Sequence, residues 1–100
     1  MEVVFHPSAR EELDASIDFY EAHLKGLGGR FLIAVEEAIG RIAGSPDAGL
    51  SLAGGLRKRI VPGFPFSVVY RTLRQEQIFI VAVAHQHRRP GYWSRRRGRG

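Results

Sequence analysis

The sequence predicts a two-layer α+β domain: an N-terminal helix hairpin packed on a small antiparallel sheet. Three observations carry this. Two amphipathic helical stretches lie between residues 7 and 44, joined by Gly26-Leu27-Gly28-Gly29. Three strand-like stretches with short, turn-rich links come after them, between residues 56 and 84. Neither group can hide its apolar side alone, so the helices must cover the strands.

Each element is set by its local pattern, in the order β-α-α-β-β-β. Glu2 to Phe5 is a short strand of edge-like length. Pro7 to Glu11 opens the first helix, with Ser8 suited to cap it and Glu11, three residues on, completing a capping box. Leu13, Ile17, Tyr20 and Leu24 then recur at helical spacing as one apolar stripe, and the opposite face is acidic. The second helix carries Leu32, Val35, Ile39 and Ile42 on one face, with Phe31 and Ala38 beside them. Gly44-Ser45-Pro46 stops it. Asp47 to Gly55 reads as a loop. Leu56 to Val61, Phe66 to Arg71 and Gln77 to Ala84 read as a meander, with Pro62-Gly63-Phe64-Pro65 as a turn. Phe66, Val68 and Tyr70 alternate onto one face and belong to the core. Ile78 to Ala84 is a near-continuous apolar run, the pattern of a strand buried on both faces. The first strand pairs most economically beside the last; a helix hairpin that returns the chain to its starting end makes that pairing antiparallel. Arg57 and Arg59 share a face by alternation. The face away from the helices, or its rim, is expected to receive them together with the polar end of the last strand.

Composition narrows the function. One hundred residues, 44% hydrophobic, make one small domain, residues 1–94. Arg95 to Gly100 is a basic tail with nothing to bury and is expected to be disordered. There are no cysteines, which excludes a disulfide scaffold and a thiolate metal site and suits a reducing cytoplasm. The longest apolar run is too short to cross a bilayer. The start of the chain lacks the basic and apolar regions of a secretory leader, so none is expected. Charge is unevenly spread. Ser8 to Gly44 holds seven acids against four bases, a net −3. From Arg57 onward there are eleven bases, ten of them arginine, against Glu76 alone, a net +10. Arginine's planar fork suits phosphate and carboxylate, so the second half points to an anionic partner.

Several short patterns lie in order along about ninety residues. In the helical half they are Ala9-x-x-Glu12-Leu13, Phe19-Tyr20-Glu21, Gly28-x-x-Phe31 and Ile42-x-x-x-Pro46. In the second half they are Arg57-x-x-x-Val61-Pro62-Gly63-Phe64-Pro65-Phe66, Val69-Tyr70-Arg71 and Ala84-His85-x-x-Arg88-x-Pro90-x-Tyr92-Trp93. In these patterns the chain resembles the RelE/ParE superfamily of toxins from type II toxin–antitoxin modules, closer to the ParE or plasmid-stabilisation branch. The resemblance implies a RelE-like fold of a helix pair on a small antiparallel sheet. It implies a cytoplasmic toxin neutralised by a cognate antitoxin in a hetero-oligomer. It leaves the target open. Some relatives inhibit DNA gyrase by binding; others are ribosome-associated endoribonucleases acting on mRNA. A degenerate partner or regulator within the operon is a third reading. Enzyme status therefore stays open, with inhibition by binding the leading reading.

RNA cleavage would need a base, an acid and cations converging on one phosphate. His85 can serve as acid or base, because imidazole titrates near neutrality. It can equally hydrogen-bond backbone at the strand end and lock the tail. Arg57, Arg59 and Arg71 can hold phosphate, and Tyr92 can stack on a base or donate a proton. His87 reads as solvent-exposed. Arg57, Lys58, Arg59, Arg71, Arg88, Arg89, Tyr92 and Trp93 are the candidates for nucleic-acid or antitoxin binding. Lys58 is the one lysine in the basic half, where the nuclease branch typically carries a dense lysine/arginine cluster or a glutamate–histidine pair. No metal site is expected: His85 and His87 lack a third ligand nearby, and Arg88 and Arg89 repel a cation. No phosphate-cradling glycine loop and no cofactor are expected.

Overall fold

The computed structural model describes residues 1–74 and 76–96. Strand β1 (Glu2–Phe5) leads into helices α1 (Pro7–His23) and α2 (Leu27–Gly44). Strands β2 (Leu50–Ser51), β3 (Arg57–Ile60), β4 (Phe66–Leu73) and β5 (Gln77–His85) complete one sheet in the order β1-β5-β4-β3-β2. The expected α+β architecture is present, with the helix hairpin covering the sheet. The direction of the first strand differs from expectation. β1 runs parallel to β5, from Glu2↔Gln77 to Phe5↔Ile80. The reason lies in the stretch read as a loop, where Leu50-Ser51 forms an extra strand antiparallel to β3. That added reversal flips the direction of every later strand, so the sheet is mixed.

The start of α1 is set by Pro7. A residue before proline is pushed into extended backbone, and proline itself fits the first helical turn. His6 is therefore the cap, at φ −61° and ψ 141°, and its Nδ1 accepts the Ser8 N–H at 3.0 Å. This replaces the expected cap at Ser8. At the hairpin Gly26 adopts the left-handed region at φ 89°. The Glu21 carboxylate accepts the amides of Gly26 and Gly28 at 2.9 and 3.0 Å, satisfying donors that the start of α2 leaves unpaired. Gly28 lies against α1: a Cβ there would sit 2.6 Å from the Ile17 carbonyl oxygen. The helices thus meet backbone to backbone.

The core lies between helices and sheet. Ala9 and Leu13 of α1 meet Phe31, Val35, Ala38 and Ile42 of α2, with Val68, Tyr70, Ile78, Ile80 and Val83 beneath. Leu32 and Ile39, expected on the buried stripe, are only partly covered. They border an apolar groove with Val3, Phe5 and Ile17 at the β1 side of the helix pair. Tyr70 and Phe66 are buried as expected, and the Tyr70 hydroxyl donates to the Pro46 carbonyl at 2.6 Å.

One irregularity decides where the polar residues point. Val69 pairs with Ala82 but Tyr70 pairs with Ile80, so Val81 is an extra residue on β5. Such a bulge shifts the alternation of every later residue in the strand. Ile78, Ile80 and Val83 face the helices, while Phe79, Val81, Ala82 and Ala84 face the other way. The second face is not bare. Leu52, Leu56, Tyr92 and Trp93 pack on it.

Candidate functional site

After β5 the chain turns back as an arm, residues 86–96, whose anchor is Glu12. This residue lies beside Leu13 on α1, just past the end of β1. There β5 loses its strand neighbour and exposes an unpaired edge. Glu12 Oε1 accepts the Val83 N–H at 3.0 Å, and Arg96 Nη1 donates to the Val81 carbonyl at 3.1 Å. The two side chains therefore finish the strand edge in place of a sixth strand. They also bind each other. Arg96 meets the carboxylate with both terminal nitrogens at 2.9 and 2.8 Å, a bidentate fork. The Tyr92 hydroxyl donates to Glu12 Oε2 at 2.8 Å. Arg88 lies over the Tyr92 ring, 3.9 Å from its centroid, with Arg96 at 5.0 Å. Burial and then the hydrogen bond to Glu12 push the Tyr92 phenol well above its ordinary range. The same carboxylate holds the Arg96 guanidinium more firmly protonated, outweighing burial.

This network includes Arg96, two residues beyond the expected domain boundary at residue 94. Arg96 has only 17% of its side chain exposed and is docked on the domain. Residues 97–100 lie outside the described residues. Neither Glu12 nor Arg96 was singled out for such a role in the sequence. Glu12 directly precedes Leu13, the first residue of the apolar stripe, and nothing in the sequence sets it apart from the other acids of the helix.

The structure divides the nuclease candidates. Arg57 and Arg59 share a face as expected, but it is the helix-side face, opposite Tyr70 and Val68. Arg57 is further committed, donating to the Gly49 carbonyl at 2.9 Å. Arg71 projects from the other face, over the Phe79 ring. The bulge turns His85 to the helix side, edge-on to Phe66 at 5.0 Å, rather than to the face away from the helices. There it borders a shallow groove with Ala15, Ser16, Phe19 and Tyr20. Its Nδ1 accepts the His87 N–H at 3.0 Å, which leaves the proton of the neutral ring on Nε2. Lys58 lies on the second face, opposite Val69 and near Trp93 of the arm. Arg89 is exposed. Among the described residues no group of three or more His, Asp or Glu is placed to hold a metal ion. No helix among them is long and apolar enough to cross a membrane.

A helix pair on a five-stranded mixed sheet is a fold this chain shares with a class of small toxins. Residues 3–90 match the family model described as ParE toxin of type II toxin-antitoxin system, parDE, and the chain belongs to that family. Among solved structures, a chain from the chromosomal ParDE TA system of P. aeruginosa is similar in fold, with a TM-score of 0.72 and 20% identity. The match covers 85% of this chain and 95% of that one. No curated protein sequence matches.

Proposed function

We propose that this ParE-family toxin arrests growth by binding an essential nucleic-acid machine of the DNA gyrase type, and that it does not cut RNA. Family membership implies a cognate antitoxin, which would hold the toxin inactive in a cytoplasmic complex. The observation that carries the reading is the division of the catalytic candidates between the two sheet faces. In-line cleavage needs acid, base and charge stabilisation around one phosphate. Arg57 and Arg59 lie on the helix side with His85, and Arg57 is held by the Gly49 carbonyl, whereas Arg71 and Tyr92 lie on the other face. Tyr92, the candidate proton donor, commits its hydroxyl to Glu12. His85 uses one ring nitrogen on the His87 amide, the bond that an anchor at a strand end requires.

Induction in cells tests this. Growth arrest with relaxed plasmid and intact mRNA is expected, unchanged by His85→Ala. Codon-phased mRNA cuts that disappear in His85→Ala would establish the ribonuclease instead. A chain that leaves growth untouched would be a partner or regulator of its operon.

A further inference from the structure

We propose that a small pocket between β3, β4 and the C-terminal arm receives a glutamate or aspartate side chain from a partner polypeptide. The proposal deepens the binding reading above by naming the chemistry that one part of the surface recognises. Val69, Ala84 and Trp93 are among its apolar lining residues, and Lys58, Ser67 and Arg88 among its polar ones. Its volume is about 90 Å³. Sites for free small molecules occupy roughly 300 Å³ or more. A single side chain is therefore the right size of occupant.

The charges around the pocket select the occupant. Lys58 is half-buried on β3, yet it forms no ion pair with another described residue. A partly desolvated ammonium is stabilised by an anion. Ser67 lies on the neighbouring strand, two residues from the partner of Lys58 and on the same face. Its hydroxyl can donate to the same anion. The chain's own nearby carboxylate does not serve: Glu12 is taken up by Val83, Tyr92 and Arg96. Arg88 reaches Glu12 only at 3.9 Å, and its side chain stays 56% exposed.

The apolar part of the lining distinguishes a carboxylate side chain from a phosphate. A glutamate or aspartate places methylene against Val69, Ala84 and the indole while its head meets Lys58. A phosphodiester is bulkier and carries no methylene arm beside its charge, so it would set part of its oxygens against Val69, Ala84 and the indole. Pre-organisation favours binding as well, since the Glu12–Arg96 pair and the Tyr92 hydrogen bond hold Trp93 in place before a partner arrives.

Trp93 is the only tryptophan in the chain, so its fluorescence reports on this pocket. The purified full chain is titrated with an acetylated ten-residue glutamate peptide, the matching glutamine peptide and a ten-nucleotide oligothymidylate. The glutamate peptide should change Trp93 emission saturably and the glutamine peptide should not. Lys58→Gln should weaken the glutamate peptide about tenfold, the loss of one charge-assisted contact, with an unchanged melting temperature. Arg41→Gln, on α2, should leave the affinity as it was. The proposal is overturned if Lys58→Gln leaves binding unchanged. It is equally overturned if oligothymidylate gives the same Lys58-dependent signal at lower concentration, which would make this a phosphate site. Either failure leaves the gyrase reading standing, because supercoiling alone judges that reading.

Discussion

Replacing Glu12 with alanine removes the one acceptor shared by α1, the free edge of β5 and the arm. Four donors lose their partner: the Val83 amide at 3.0 Å, the Tyr92 hydroxyl at 2.8 Å and both Arg96 terminal nitrogens at 2.9 and 2.8 Å. Glu12 and Arg96 are well covered, with 15% and 17% of their side chains exposed. One hydrogen bond to a charged group contributes about 1.5–3 kcal/mol, and stripping one partner from a buried ion pair costs about 3–5 kcal/mol. The loss has a ceiling, because the arm is near the chain end and can swing Arg96 into water. The expected cost is then about 2–4 kcal/mol. At this chain length that corresponds to a fall of roughly 10–30 °C in melting temperature. Urea denaturation of Glu12→Ala, Arg96→Ala and the double variant measures it. The two losses should not add: the coupling should be about 1–3 kcal/mol, because either change alone frees the arm. Hydrogen exchange at the Val83 amide should quicken in Glu12→Ala. A loss under about 0.5 kcal/mol, the range of ordinary surface changes, or an additive cycle would refute the anchor.

Other consequences arise from the same packing. Gly28→Ala should destabilise by about 1–3 kcal/mol in thermal melts, because its methyl would press on the α1 backbone at Ile17. Tyr70→Phe should cost about 1 kcal/mol, leaving the Pro46 carbonyl without its donor. The raised Tyr92 phenol gives a pH signature. Above the ordinary tyrosine value of 10.0 the unfolded chain releases this proton while the folded chain keeps it. Stability should therefore fall as pH rises past that point, and less steeply in Tyr92→Phe than in the parent. Removing residues 95–100 should lower the melting temperature as Arg96→Ala does, since the truncation takes away the partner of Glu12.

The helix hairpin was legible because its apolar residues recur at helical spacing, and the buried last strand because its run is unbroken. What escaped the sequence had specific causes. β2 is two exposed residues within a stretch rich in glycine and alanine, too short to show a period, yet it reversed the direction of every later strand. The bulge at Val81 lies among Val, Ala and Val, and such a run fits either register equally well. Its effect was to move His85 from the expected face to the helix side. Arg96 resembled its neighbours in the basic tail, and only the fold brings it to Glu12, eighty-four positions away. Arg57 and Arg59 were correctly placed on one face. Which face that was depended on pairing that alternation alone does not specify.

Purified DNA gyrase offers the most direct test of the account, which holds that this toxin binds and does not cut. Relaxed plasmid, gyrase and ATP are incubated with the chain, and a parallel reaction contains translating ribosomes with a defined mRNA. Loss of supercoiling with intact mRNA, the same for parent and His85→Ala, is the predicted result. Undiminished supercoiling together with mRNA cuts that require His85 would contradict it.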